Sequence, residues 1–208
     1  MQAAVRGFLA IVIVLLLAPQ SVAQSRAKAD PNWPCQQIKT PTFSLASVWV
    51  GPPLDLNSQT WRDESDVADL KAQMAQRRVP IADVEKAITE FKTKAGPDAE
   101  AKLLRALAAA FEDLSKQRSQ IIEGLDRFGR KQHALADRIR AENEAVPPSS
   151  DQSDGQAPPS ASSQDKLLWD IRIYNDRRQT ASYVCEVPTL VEQRIGEIAR
   201  SVQKALAL

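Results

Sequence analysis

Residues 104–139, LRALAAAFEDLSKQRSQIIEGLDRFGRKQHALADRI, decide the fold. Leu104, Leu107, Phe111, Leu114, Ile121, Leu125, Phe128, Leu135 and Ile139 recur in alternating steps of three and four. That spacing is the seam of a heptad helix sustained over about five heptads. Arg118 and Gln132 fill the two places where the apolar series lapses. Polar groups at seam positions set register more often than they do chemistry. The helix runs for over about 40 residues, roughly 60 Å. Gly124 and Gly129 each cost about 1 kcal/mol relative to Ala, so a bend is predicted near them.

Working upstream, Gly96-Pro97 reads as a helix stop followed by a helix start. Before it, Ile81, Val84, Ile88 and Phe91 form one apolar stripe, opened by Pro80, whose fixed φ suits a helix start. Earlier still, Val67, Leu70 and Met74 share a face. Thr60 and Asp63 fit a capping box for that helix, with Asp63, Glu64 and Asp66 at the dipole's positive end and Arg77 and Arg78 at its negative end. Residues 58–145 are therefore read as helical.

The stretch 24–57 differs. Pro31, Pro34, Pro41, Pro52 and Pro53 forbid a helix, yet Trp33, Phe43, Val48 and Trp49 are too apolar for a free tail. It reads as an extended arm lying on the folded body, with room for a short turn at 44–49. Downstream, 146–164 holds four prolines, six serines and no aromatic. It is read as a flexible linker joining two long helices. In 165–208, Leu167, Ile171, Tyr174, Ala181 and Cys185 share a face with Arg178 at the sixth place. Pro188 is expected to kink or break that helix before a last amphipathic stretch of Leu190, Val191, Ile195, Ile198, Val202 and Leu206.

The expected fold is all-α: an elongated antiparallel bundle or coiled-coil hairpin of four to five helices, wrapped by the N-terminal arm. Residues 1–23 read as a signal peptide. Arg6 is the positive end, 8–18 the apolar run, and Ser21-Val22-Ala23 the small-residue cleavage site. Eleven apolar residues rise only about 16 Å as a helix, too short to span a membrane. In an oxidising compartment, Cys35 and Cys185, the only cysteines, are expected to form a disulfide. Closing a loop of about 150 residues stabilises by at most about 5 kcal/mol in the chain-entropy model.

Composition narrows function. The 208 residues carry 27 Lys+Arg against 26 Asp+Glu, and Arg6 is the only charge in 1–23, so the remainder is formally neutral. No global field steers it to nucleic acid. A single His, His133, and two Cys exclude a four-ligand zinc site and a bundle di-metal site. His133 with Asp137 is at most a two-ligand fragment, read as an exposed pair. The run around Asp154-Gly155 fails as a calcium loop, because Ala161 stands where a bidentate Glu is needed. There is no nucleotide-binding glycine pattern and no catalytic constellation. No cofactor and no enzymatic activity are expected.

What remains is surface. Trp33, Trp49, Trp61 and Trp169 are four of eleven aromatics. Their ordinary role is to clamp the arm; their functional role is a hot-spot surface, with Arg172, Arg177 and Arg178 beside them. The leading expectation is an exported, periplasmic or extracellular accessory protein. It offers a face of the long helix, including Arg118 and Arg127, to another exported protein or to itself. The alternative is a small-ligand or metal binder with a pocket between arm and bundle near Trp49, Trp61 and Trp169.

Overall fold

The computed structural model describes residues 30–145 and 161–207. The expected signal peptide, the start of the arm, and 146–160 of the expected linker lie outside them. The described residues are helical with no strand: α1 (Ser65–Ala75), α2 (Ile81–Ala95), α3 (Ala99–Glu144) and α4 (Ala161–Leu206). None of these helices is long and apolar enough to cross a membrane.

The heptad stretch forms one uninterrupted helix of 46 residues, about 69 Å long. Its partner α4 also has 46 residues. The two are antiparallel, because their contacts run in opposite order: Arg118 to Glu192, Gln132 to Tyr174, Arg138 to Asp170 and Lys166 to Glu142. The helices α1 and α2 pack on one end of this pair. There Val67, Leu70, Met74, Val84, Ile88, Leu103, Leu107, Leu114, Val191, Ile195, Ile198 and Val202 form the core. Beyond it, α3 and α4 continue as a two-helix hairpin sealed by Leu125, Leu135, Leu167, Ala181 and Cys185.

Three local expectations change. Thr60–Asp63 is a short 3-10 turn, and Thr60 Oγ1 pairs with Ser58 Oγ, so no capping box forms; α1 begins at Ser65 behind Glu64. Pro188 does not break α4, which passes through it. Val187 just before it and Val191 and Ile195 beyond it dock on the core, and that burial outweighs one lost backbone bond. Helix α4 starts at Ala161, four residues ahead of the reading from sequence. Two other signals act as read. Gly96 ends α2 at φ +57°, a conformation open to Gly, and Pro97 leads into α3.

The arm runs along the pair. Phe43 stacks on Phe111 with centroids 6.4 Å apart. Leu45–Ser47 makes a 3-10 turn, and Val48 lies 3.6 Å from where a Gly196 side chain would begin. Trp49 is buried, its Nε1 donating to the Pro52 carbonyl at 2.8 Å. Near the hairpin root, Cys35 and Cys185 stand at disulfide distance with Cα atoms 5.5 Å apart.

The two helical glycines divide here. Gly124 has open space around it, its nearest neighbour the tip of Arg127 at 3.9 Å. At Gly129 the arm crosses α3 so closely that a Cβ would overlap the Asn32 carbonyl outright. Gly129 is kept for that crossing. Gly124→Ala is therefore expected to stabilise by about 0.5–1 kcal/mol. Gly129→Ala should lower stability or release the arm, whatever propensity it gains. Chemical denaturation of both variants checks this; equal effects of the same sign would contradict the crossing.

Candidate functional site

The arm crossing builds a groove that brings the arm, α3 and α4 to one space. Asn32, Trp33 and Pro34 form one wall; Phe128, Gly129, Gln132, His133, Ala136 and Arg140 of α3 form the floor; Tyr174, Arg178 and Ala181 of α4 close the other side. The helical lining residues follow i, i+4, i+7 on both helices, so each presents one face to the same space. The cavity is about 340 Å³. Gln132 is 8 % exposed and its Nε2 donates to the Tyr174 carbonyl at 3.2 Å, while its Oε1 is buried without a partner. His133 Nε2 meets the carbonyl of Pro31, so the ring carries its proton there. Asp137 pairs with Arg140 instead of His133, which dissolves the expected His–Asp pair.

Beside the groove, an ion cluster fixes the arm. Lys39 Nζ lies 2.8 Å from Asp126 of α3 and 2.9 Å from Asp30. The Lys39 ammonium, with the Asn32 backbone N–H, holds the Asp30 carboxyl below its usual range. Asp126 first, then Asp30, holds Lys39 above the usual ammonium range. Asp30 contributes fully above about 3.8, its ordinary value, and its share fades as pH falls through the lowered folded value. Lys39 contributes fully below about 10.5, its ordinary value, and its share fades as pH rises through the raised one. Trp33 reports on this, since its Nε1 donates to Gln37 at 2.7 Å and Lys39 sits 5.8 Å from its ring. The carbon-bound indole protons of Trp33 should keep fixed chemical shifts between those two limits and move outside them. In Lys39→Met the profile should be flat; a wild-type profile in that variant would show that the cluster does not hold the arm.

The tryptophans split by environment. Trp33 walls the groove, Trp49 is in the core, and Trp61 lies between Arg62 and Lys71, at 4.5 and 4.6 Å from its ring. Trp169 is 60 % exposed on α4. The pocket expected near Trp49, Trp61 and Trp169 is not assembled. Val48 touches α4 at Gly196, about 40 Å along the helix from Trp169. The groove forms instead at Trp33. Arg118 is also corrected: it is 2 % exposed, held by Glu192, and offers nothing to a partner. Arg127 is exposed and pairs only within its own helix, with Glu123 at 3.8 Å.

The exposed apolar surface belongs to α4. Of seven large exposed hydrophobics among the described residues, Leu168, Trp169, Tyr183, Val184 and Leu190 lie on it and none on α3. Trp169, Tyr183 and Leu190 fall on multiples of seven, opposite the seam. Arg172 and Arg177 stand exposed nearby, with Asp176 as a loose partner of Arg172 at 4.0 Å. Arg178 turns to the groove. Arg77 and Arg78 remain exposed, lining a shallow depression with Gln117.

Among the described residues no three His, Cys, Asp or Glu converge as metal ligands. Comparison with protein-family models, curated proteins and solved structures finds no match to this chain.

Proposed function

We propose that the protein is an exported, non-enzymatic accessory protein that docks the outer face of α4 against an amphipathic helix of another exported protein. The observation that carries this is the stripe of Leu168, Trp169, Tyr183 and Leu190, 52–70 % exposed, on a helix whose opposite face packs on α3 and lines the groove. Apolar residues on a heptad period ask for a helix running alongside. Arg172 and Arg177 stand beside the middle of the stripe, and Asp165, Asp176 and Glu186 also stand exposed along it, so charges of both signs would set the register of the partner helix. Large exposed aromatics next to arginines are the composition of binding hot spots.

A photo-crosslinking residue in place of Tyr183 tests this in the exporting host, with Gln120 on α3 as the control position. The expected result is one adduct from position 183 with an exported protein carrying such a helix, and none from 120. The purified partner helix should then bind about tenfold more weakly to Trp169→Ser. Absence of an adduct, or an adduct between two copies of this chain, overturns the reading.

The arm belongs to the same proposal as a built-in brace. A Cys35–Cys185 disulfide would staple it to α4 three residues ahead of Pro188, where the helix lacks one backbone bond. It then limits bending at that point and holds the hairpin straight. Replacing both cysteines by Ser is expected to lower stability by at most about 5 kcal/mol. Hydrogen exchange should rise first in residues 30–41 and around 184–188, ahead of the core. Uniform loss of protection across all four helices would instead make the bond a global determinant of folding.

A further inference from the structure

We propose that the groove at the arm crossing is a binding site for a small carboxylate bearing an apolar or aromatic body and one hydrogen-bond donor. It is a different surface from the α4 stripe. Three observations point to that chemistry together.

The first is the unpartnered acceptor at the floor. Gln132 is 92 % buried, since 8 % of its surface is exposed, and its amide nitrogen is already committed to the Tyr174 carbonyl. That commitment fixes which end of the amide is oxygen. The orphan Oε1 accepts only, so it asks for an N–H or O–H from a bound molecule. The second is charge. Arg178 lines the groove and makes no ion pair or side-chain hydrogen bond among the described residues, whereas Arg140, also on the lining, pairs with Asp137. A free guanidinium at the rim of a partly apolar cleft is a carboxylate receptor. The third is shape. Trp33, Phe128 and Tyr174 supply an aromatic lining, and a cavity of about 340 Å³ is at the small end of ligand sites. An acceptor at the floor, aromatic sides and a cation at the rim match a molecule whose donor lies deep and whose carboxylate lies outward.

N-acetylphenylalanine carries all three features in one small probe, and its carboxamide analogue replaces the charged carboxylate by a neutral amide of the same size. Calorimetric titration of the intact, oxidised protein should give one site for the acid, with a Kd on the order of 0.1–1 mM for a molecule of this size. The carboxamide should bind about tenfold more weakly. Arg178→Gln, an exposed change safe for folding, should weaken the acid about tenfold and leave the carboxamide unaffected. Gln132→Met, close in volume, should weaken both. Trp169→Ser should bind like wild type, which separates this site from the helix-docking face. No binding up to several times the upper Kd overturns the proposal. So does binding that survives both Arg178→Gln and Gln132→Met, because the probe would then sit elsewhere.

Discussion

A guanidinium inside a helix–helix seam sets the plan of this molecule. Arg118 occupies a heptad core position and is 2 % exposed. A buried cation is tolerated only where its donors all find acceptors. Glu192 of α4 supplies one at 2.5 Å, but it cannot serve the whole fork. The rest comes from the arm: Nη2 donates to the Thr40 carbonyl at 2.6 Å and Nη1 to that of Pro41 at 3.3 Å. An extended, proline-rich strand is suited to this, because its carbonyls are not engaged in bonds of its own. So the seam's polar break and the arm's lack of secondary structure are one feature seen from two sides. Fixing 40 and 41 on Arg118 brings Phe43 to Phe111 downstream and leads the chain back over Gly129 upstream.

Arg194 solves the complementary problem at the other end of the core. It is 7 % exposed and donates to the carbonyls of Gln73, Met74, Gln76 and Val79. Those groups end α1 and form its turn into α2, where a helix leaves carbonyls unsatisfied and its dipole favours a cation. Burial draws the Arg194 pKa down, but the group is far from losing its proton at neutral pH. Two arginines on the long pair thus organise the parts that are not on it. Arg118 holds the arm, and Arg194 holds the α1–α2 corner.

Much of this is legible in the sequence where periodicity speaks, and little of it where direction matters. The alternation of three and four from Leu104 to Ile139 yields the long helix, and the lapses at Arg118 and Gln132 mark where something other than packing happens. What they pair with is invisible, since their partners lie 77 and 42 residues away. Gly129 reads as a weak point in a helix, although its purpose is an arm more than 90 residues upstream in the chain. Pro188 reads as a break because local rules cannot weigh the core that holds both sides of it. The tryptophans are alike in sequence; only the fold separates Trp33 at the groove, Trp49 in the core and Trp61 between two cations from Trp169, which faces out. The groove was the hardest to foresee, because its signal is a single unpartnered oxygen on a residue read as a register device.

The uneven distribution of packing explains why binding surfaces fall where they do. At one end α3 and α4 are covered by α1, α2 and the arm, and every wide apolar face there is spent on the core. At the other end each long helix packs on the other and on residues 30–41 of the arm, and the half turned away from these is free to carry something else. On α3 that half is charged and holds no large exposed hydrophobic among the described residues, as an ordinary water-facing surface should. On α4 it is not: Leu168, Trp169 and Tyr183 stand in water with no core to justify them. The two helices have the same length and seal the same seam. The seam they share does not call for a difference on their outer faces, and that difference is the observation on which the proposed docking face of α4 rests.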